Sequence, residues 1–265
     1  MSIKLISIDL DGTLLNSESR ISQENKVAIK KCLDSNIKVV ITTGKTISYV
    51  KNIVNELGLV DLQVVSNGSA IVNSLMEPVF VLKIPENLYM EVIEFSRKYK
   101  KGIAIQCLDG FMYYELENPY FINITSSGEI ITKVPDLMDN KIVNSALMFT
   151  YAGIIEGSLF NNLSVILNNR LKIRRAGVYL ANILNMEAGK VNAIKKILEI
   201  YNMNRTNVIA IGDHENDIGI IKFSGLGIAM GNSVEMVKSA ADSVVADNDS
   251  NGVAEAIYKY VFAQN

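Results

Sequence analysis

Apolar, strand-like runs alternate with amphipathic, helix-like segments through the first third of the chain. The three runs and the two segments between them occupy 4–10, 22–35, 37–44, 46–58 and 62–68. Ser22 is a typical residue for a helix start, and Gly58 is a typical residue for a helix end. This order of elements predicts a parallel β-sheet with helices on its faces, in which the third run supplies the third strand.

The pattern changes near residue 70 and returns near Lys190. Between these points two apolar runs flank Asp109-Gly110, which is a strong signal for a β-hairpin, and strands of mixed direction are expected around it. We therefore predict an α/β fold with a Rossmann-like core of residues 1–83 plus 186–265. An inserted α+β domain of residues 84–185 divides this core.

The composition narrows the setting and the class of partner. Of the 265 residues 49% are hydrophobic, and the net charge is −2 with Lys and Arg scattered along the chain. Scattered charge favours neither nucleic acid nor an anionic membrane as partner, and no apolar run reaches the roughly 18 residues of a membrane span. Cys32 and Cys107 are expected to be buried free thiols. We expect a cytoplasmic protein with no nucleic-acid or membrane partner.

Polar residues stand where several of the strand-like runs end. They are Asp9, Asp11 and Thr13 at the end of the first run, Thr42, Thr43, Gly44 and Lys45 at the end of the second, and Asp213, Asn216 and Asp217 after the run at 208–212. Because the carboxyl ends of parallel strands meet at one edge of a sheet, we expect these residues to share one site. Lys190, at the start of a helix just before that last run, is expected to join them.

We expect a metal ion at this site, because it would offset the repulsion between the carboxylates. Asp9, Asp11, Asp213 and Asp217 would bring four carboxylates into a small space, where they repel one another. A divalent cation and Lys190 would offset this repulsion, since opposite charges about 4 Å apart gain about 4 kcal/mol at an effective dielectric constant near 20. An all-oxygen site suits Mg²⁺, whereas zinc prefers His or Cys, and the chain has a single histidine. The sequence thus predicts a Mg²⁺ site.

Phosphate-binding groups accompany the carboxylates. The Lys190 ammonium, the Thr43 hydroxyl and the backbone N–H groups at the Gly44 turn are the kinds of donor that hold a phosphate. Metal, carboxylates, lysine and hydroxyl together are typical of a phosphoryl-transfer centre.

Four motifs of the chain resemble those of the haloacid dehalogenase (HAD) superfamily of phosphotransferases. They are DLDGT at 9–13, TTG at 42–44, Lys190, and GDHEND at 212–217, in the family's order. The tail sequences GLGIAMGNSVEMVKSAAD and ADNDSNGVAEAI resemble the Cof-type phosphatase branch, and the insertion matches that branch's type IIB cap in position and size. The resemblance covers both core segments.

The resemblance implies a role for each carboxylate of the first motif. Asp9 corresponds to the nucleophile that forms an aspartyl-phosphate, and a carboxylate is already ionised at neutral pH. Asp11 corresponds to the general acid for the leaving alcohol and then the base for the attacking water, and its backbone carbonyl to a metal ligand.

The other motifs acquire roles in the same way. Asp213 corresponds to a direct metal ligand, while Asp217 is better placed to orient a metal-bound water or Lys190. Thr43 and Lys190 correspond to the phosphate-holding positions, and Asn216 is expected to help at the metal or the phosphate.

Two further positions are candidate substrate contacts. Lys45 stands where this branch commonly has Arg, so it can meet an anion but lacks the bidentate fork of a guanidinium. Asn67, in the Asn67-Gly68 turn, corresponds to a position near the mouth of the site in the family, although Asn-Gly is first of all a turn sequence.

The leading interpretation is a Mg²⁺-dependent phosphatase for a small phosphorylated metabolite, such as a sugar phosphate or a phosphorylated cofactor. A phosphomutase or phosphotransferase of the phosphomannomutase type is the alternative among enzymes, because the core motifs do not decide whether water or a sugar hydroxyl takes the phosphoryl group. A non-catalytic sensor of phosphorylated metabolites is the alternative outside enzymes. Such a sensor is expected to have lost Asp9, Asp11 or Lys190, and all three are present.

Overall fold

A computed structural model of the chain describes residues 3–155 and 157–263. The first two and last two residues of the predicted core therefore lie outside the described residues. The strands are β1 (Leu5–Ile8), β2 (Lys38–Ile41), β3 (Gln63–Val65), β4 (Ala70–Val72), β5 (Pro78–Val81), β6 (Ile103–Cys107), β7 (Met112–Tyr114), β8 (Ile131–Lys133), β9 (Ala146–Ala152), β10 (Leu171–Arg175), β11 (Leu180–Asn185), β12 (Val208–Gly212), β13 (Leu226–Ala229) and β14 (Ser243–Val244). The helices are α1 (Gln23–Asp34), α2 (Ile47–Leu57), α3 (Glu86–Tyr99), α4 (Ile122–Thr125), α5 (Asn140–Val143), α6 (Ser158–Ile166), α7 (Lys190–Ile200), α8 (Ile218–Phe223), α9 (Glu235–Lys238) and α10 (Gly252–Ile257).

A parallel five-stranded sheet forms the centre of the fold, in the order β14-β13-β12-β1-β2. Its strands come from both ends of the chain, and Leu5–Ile8 pair with Val208–Ile211 on one side and with β2 on the other. All four residues of β1 are buried, as expected for a strand with helices on both faces. The predicted α/β fold with a parallel core sheet is confirmed, and the ends of β1, β2 and β12 lie next to one another.

The helix boundaries follow from local chemistry. The Ser22 hydroxyl accepts a hydrogen bond from the backbone N–H of Asn25 and so begins α1, and Thr46 begins α2 by bonding Tyr49. Gly58 ends α2 in the left-handed conformation at φ +64°, which favours glycine.

The prediction for the third strand is wrong. β3 forms an antiparallel three-stranded sheet with β4 and β5, and it reaches the parallel sheet only through a bridge between Thr42 and Val64. Two side chains replace a neighbouring strand along the outer edge of β2. Gln63 Oε1 accepts from the Ile41 N–H at 2.7 Å, and Asp61 Oδ2 accepts from the Val39 N–H at 3.3 Å. With these donors satisfied, β2 stands at the edge of the sheet.

A six-stranded mixed sheet lies within the predicted insertion, in the order β10-β11-β9-β6-β7-β8. The hairpin predicted around Asp109-Gly110 is the antiparallel pair β6 and β7, and only β7 and β8 run parallel. One face of this sheet packs into a buried apolar cluster with α3, including Ile105 and Phe149 against Tyr89. The other face lies over the ends of the parallel strands, where its residues line a cavity. We call this insertion the cap.

No helix of the described residues is long and apolar enough to cross a membrane.

Candidate active site

Asp9 follows the last residue of β1 and is almost completely buried. Its Oδ1 lies 2.6 Å from the Lys190 ammonium, which is also 2.6 Å from Asp217 Oδ1. Lys190 is the first residue of α7 and is itself 4% exposed. One buried ammonium therefore joins two carboxylates from distant parts of the chain and fixes the orientation of both.

Asp217 has both carboxylate oxygens occupied. Oδ1 binds Lys190, and Oδ2 accepts the backbone N–H groups of Asp213 and His214 at 3.2 and 3.1 Å. These contacts are those of a residue that positions Lys190 and the turn after β12. Its predicted role as a metal ligand stays a prediction.

Asp213 completes a cluster with Asp9 and Asp217, whose carboxylates lie within 4.8 Å of one another. The Thr13 hydroxyl donates to Asp213 Oδ1 at 2.9 Å, which ties the loop after β1 to the end of β12. Gly12 makes this approach possible. It has φ +75°, and a Cβ there would lie 2.4 Å from Asp213 Oδ2.

Asp11 does not join this cluster, so the expected group of four carboxylates is a group of three. Its side chain is 54% exposed, and its Oδ1 lies 3.2 Å from the Lys45 ammonium. It still lines the same cavity as Asp9. Asp9 and Asp11 therefore occupy different environments, since Asp9 is almost completely buried and Asp11 is open to solvent.

The tail sequence holds the loop that carries these residues. The Asn232 amide donates to the Gly12 carbonyl at 2.8 Å, and the Asn248 amide donates to the Leu15 carbonyl at 3.0 Å. Asp249 Oδ1 accepts from the Ser17 N–H at 2.8 Å. The first tail sequence thus holds the backbone of the DLDGT motif through Asn232, and the second tail sequence holds the residues just after that motif through Asn248 and Asp249.

The electrostatics of the cluster fit a divalent cation. Burial raises the pKa of Asp9 well above its usual value, with Lys190 opposing this shift and Asp217 and Asp213 adding to it. Burial and then the charge of Asp217 raise the pKa of Asp213 to about 6. Burial opposes the charge of Lys190, but Asp217 and Asp9 raise the pKa of its ammonium above the usual value. Three carboxylates beside one ammonium leave excess negative charge, which a hard cation with oxygen ligands would neutralise.

The remaining predicted residues surround the same cavity. Thr43, Gly44 and Lys45 line it from the end of β2, and Asn67 lines it from the turn after β3. Asn216 donates to Asn67 Oδ1 at 3.2 Å, while its own buried Oδ1 has no partner among the described residues. This unpaired oxygen is a further group that can meet a cation or a donor on a ligand. Lys190 and Asp217 lie behind the cavity wall.

The cavity has a volume of about 390 Å³, and the cap forms its second wall. The cap side chains that line it include Gln106, Met112, Asn123, Glu129, Met148, Thr150, Leu180 and Asn182. The sequence interpretation assigned none of them a role. A signal was present, because Gln106, Thr150 and Asn182 are polar residues inside predominantly apolar strands.

Comparisons with known proteins agree with this site. The profile of haloacid dehalogenase-like hydrolases matches residues 6–257. The 5-amino-6-(5-phospho-D-ribitylamino)uracil phosphatase YcsE of Bacillus subtilis is 32% identical over 265 residues, covering 98% of this chain and 97% of that protein. The crystal structure of a haloacid dehalogenase-like hydrolase from Bacteroides thetaiotaomicron has a TM-score of 0.89 at 28% identity, covering 97% of this chain and 99% of the other. The HAD subclass IIB sugar phosphatase BT4131 has the same fold, with a TM-score of 0.83 at 22% identity over 97% and 98% of the two chains.

Fold, acidic cluster and full-length relatives together define a hydrolase of phosphate monoesters. The chain belongs to the haloacid dehalogenase-like hydrolase family, and it is a phosphatase of the Cof-type branch with a IIB cap. The resemblance carried by the four motifs is confirmed.

Proposed function

We propose that this protein is a Mg²⁺-dependent phosphatase that hydrolyses a small phosphorylated metabolite through an aspartyl-phosphate on Asp9. One observation carries the proposal. The buried Asp9 carboxylate, held 2.6 Å from Lys190, lines a 390 Å³ cavity whose other wall is the cap. A carboxylate fixed in this way needs no activating base to act as a nucleophile.

In the first step Asp9 attacks phosphorus while the bond from phosphorus to the ester oxygen breaks. The leaving alkoxide takes a proton from Asp11, which therefore ends this step as a carboxylate. Asp11 suits this exchange because it lines the cavity and is half exposed, with Lys45 at 3.2 Å to stabilise its anionic form. Thr43 and the Gly44 turn would hold the phosphoryl oxygens.

In the second step water attacks the phosphorus of the aspartyl-phosphate and gives its proton to Asp11. The bond between phosphorus and Asp9 breaks, so the products are inorganic phosphate and the free Asp9 carboxylate. Both steps return Asp11 to its starting state, which makes one residue the acid and then the base.

Asp9, Asp213 and the backbone carbonyl of Asp11 are the groups that would hold Mg²⁺. The cation would supply charge neutralisation between the carboxylates and the phosphate and so lower the barrier to their approach. Asp217 would act through Lys190, because both of its oxygens are occupied.

The cap wall favours an uncharged leaving group that carries hydroxyl or amide groups. Asn123, Thr150 and Asn182 offer neutral hydrogen-bonding groups, and Met112 and Met148 offer apolar surface. Glu129 is the only charged cap residue among the described lining residues, and it is anionic. A second phosphate or a carboxylate on the substrate would find no cationic partner there. Sugar monophosphates satisfy this condition, as does the ribityl phosphate named for the Bacillus relative.

The test compares wild type with Asp9→Asn on an aryl phosphate and a sugar monophosphate, with and without Mg²⁺. The control is Asp34→Asn, an exposed carboxylate on α1 paired with Lys30. We expect phosphate release that requires Mg²⁺, disappears in Asp9→Asn and is unchanged in Asp34→Asn. Release by Asp9→Asn at the wild-type rate would exclude Asp9 as the nucleophile, and transfer of the phosphoryl group to a sugar hydroxyl would instead indicate a phosphomutase or phosphotransferase.

A further inference from the structure

Several contacts between the cap and the core converge on one short core segment, residues 44–49. They are Gln106 Nε2 to the Gly44 carbonyl at 3.1 Å, Lys45 Nζ to the Ser127 carbonyl at 2.5 Å, Glu129 to Thr46 at 2.7 and 2.8 Å, and the Ser48 hydroxyl to the Gly110 carbonyl. This segment leads directly from the Thr43 loop into α2. The cap therefore rests on the part of the core that carries the predicted phosphate-binding groups.

Glu129 makes the most complete of these contacts. Its Oε1 accepts the backbone N–H of Thr46 at 2.8 Å, and its Oε2 accepts the Thr46 hydroxyl at 2.7 Å. The Glu129 residue is 8% exposed, although it belongs to a loop of the cap. Both carboxylate oxygens of Glu129 thus bond a single residue, Thr46, that lies 83 positions away in the sequence.

Thr46 is the residue at which α2 begins, and the first turn of α2 contains no acidic side chain. Free N–H groups and a partial positive charge at a helix start favour a carboxylate there. Glu129 supplies that carboxylate from the other domain. The start of α2 in the core thus receives its carboxylate from a residue of the cap.

The same cap loop also determines where Lys45 lies. The Lys45 ammonium bonds the Ser127 carbonyl, contacts Asp11 Oδ1 at 3.2 Å and lies 4.6 Å from the centre of the Tyr49 ring. Gly128 allows the loop to lie this close, because its φ is +84° and a Cβ there would be 3.0 Å from Tyr49. The loop residues 127–129 therefore hold both Lys45 and the start of α2.

We infer that Glu129 is a latch between the cap and the core, a positioning residue that holds the cap closed and Lys45 against Asp11. When the cap opens, Thr46 loses the carboxylate and Lys45 loses the Ser127 carbonyl, so the ammonium is free to leave Asp11. When the cap closes without a carboxylate at position 129, the buried Thr46 N–H has no acceptor, which disfavours closure. Closure and the placement of Lys45 are thus one event.

The first test measures closure without any substrate. Fluorophores are attached to cysteines introduced at Lys222 of the core and Asn161 of the cap, both exposed. The native Cys32 and Cys107 are buried, and burial raises the pKa of both thiols to about 12, so they are expected to react poorly with the label. In Glu129→Ala we expect a larger population with a long inter-dye distance than in wild type. A distance distribution identical to wild type would overturn the inference.

The matched control is Glu117→Gln, which neutralises an exposed cap carboxylate paired with Lys133. It should leave the distances unchanged. Glu129→Gln tests the role of charge, because an amide keeps one acceptor for the Thr46 N–H but not the second carboxylate oxygen. We expect the long-distance population of Glu129→Gln to lie between those of wild type and Glu129→Ala. If closure were lost only in variants that also unfold, the latch would be contradicted.

The kinetic test rests on the proposed function. With a sugar monophosphate, Glu129→Ala should lower kcat/KM at least about tenfold, chiefly through a higher KM, since a tenfold change corresponds to one lost hydrogen bond. Thr46→Val removes the hydroxyl partner, and its effect should largely vanish when Glu129 is already Ala. Additive effects of the two changes would contradict the latch. If wild type shows no phosphatase activity, the distance measurement still decides the inference on its own.

Discussion

The two walls of the cavity differ in the kind of polar group that they present, charged on the core wall and mostly neutral on the cap wall. On the core wall, Asp9 pairs with Lys190 and Asp213 accepts from Thr13, so the charged groups hold one another in place. On the cap wall, Asn182 is 9% exposed, yet its amide nitrogen donates to no described residue, and its Oδ1 accepts only from Thr150 at 3.3 Å. The charged groups of the core wall are organised before a ligand arrives, and of its buried side-chain atoms only the neutral Asn216 Oδ1 is left without a described partner, whereas the amide of Asn182 on the cap wall retains unused donors.

We expect the core wall to carry the catalytic chemistry and the cap wall to select the substrate. Preorganised charges are effective where charge develops in a transition state, because they need not move during the reaction. A neutral amide that lines the cavity and has donors without partners among the described residues, as Asn182 does, favours a ligand with matching acceptors. We expect changes to the core wall to affect all phosphate esters alike and changes to the cap wall to distinguish among them.

The largest effect is expected for Lys190→Met. Losing the ammonium leaves two buried carboxylates without their counter-charge, so kcat/KM should fall by about a thousandfold and stability by about 3 kcal/mol. The control is Lys196→Met, on the same helix but exposed and paired with Glu199, where the change should stay below about 0.5 kcal/mol. Chemical unfolding and steady-state kinetics measure both. Retention of wild-type kcat/KM by Lys190→Met would contradict a preorganised core wall.

A smaller effect is expected for Gly12→Ala, for which the chain offers a matched control. Gly12 and Gly58 have similar positive φ angles of +75° and +64°, but only a Cβ at Gly12 meets another group, Asp213. Both changes should add about 1 kcal/mol of backbone strain. Gly12→Ala should in addition lower kcat/KM by about ten- to a hundredfold, because Asp213 is displaced. Equal activity of the two variants would show that the position of Asp213 is not critical.

The pH dependence of stability tests the charge excess on the core wall. The raised pKa of Asp213, about 6, means that the folded protein keeps this proton to higher pH than the unfolded chain. Without metal, the free energy of unfolding should therefore fall as pH rises from about 4 to 6, by on the order of 2 kcal/mol from this group. Asp213→Asn should reduce that fall, and Mg²⁺ should oppose it by binding the folded carboxylates. If neither Asp213→Asn nor Mg²⁺ changed the pH dependence of the free energy of unfolding, the proposed metal site would be contradicted.

The smallest effect is expected on the cap wall, for Asn182→Ala. The KM for a sugar monophosphate should rise by about tenfold, while an aryl phosphate, which lacks hydroxyl groups on its leaving group, should change by less than about twofold. The control is Asn161→Ala, on the exposed surface of the cap helix α6. Equal losses with both substrates would place Asn182 among residues that support the structure rather than select the substrate.

Short-range features of the sequence predicted the helix ends and the parallel core sheet correctly. Ser22 and Gly58 mark helix ends through bonds and angles within a few residues, and such effects need no information from distant segments. The candidate residues Asp9, Thr43 and Asp213 were found because they follow apolar runs, and the ends of parallel strands meet by geometry. The motifs then indicated the family.

The third strand shows where this reasoning fails. The run at 62–68 has the composition of a buried strand, and β3 is indeed buried, but composition does not choose its partner. Gln63 reaches across to the backbone of β2 and takes the bonds that a neighbouring strand would have made. The pattern of apolar and polar residues within 62–68 is the same whether Gln63 bonds the backbone of another strand or packs in the core.

By itself, the sequence determined the alternation of elements, the carboxylates at the strand ends and the family to which the chain belongs. Only the tertiary structure decided that Asp11 stands apart from the acidic cluster, that Lys190 joins Asp9 to Asp217, and that Glu129 meets Thr46. The physical reason is distance along the chain. Contacts within a turn or a strand are fixed by local backbone geometry, whereas the distance between cap and core depends on the packing of both domains at once.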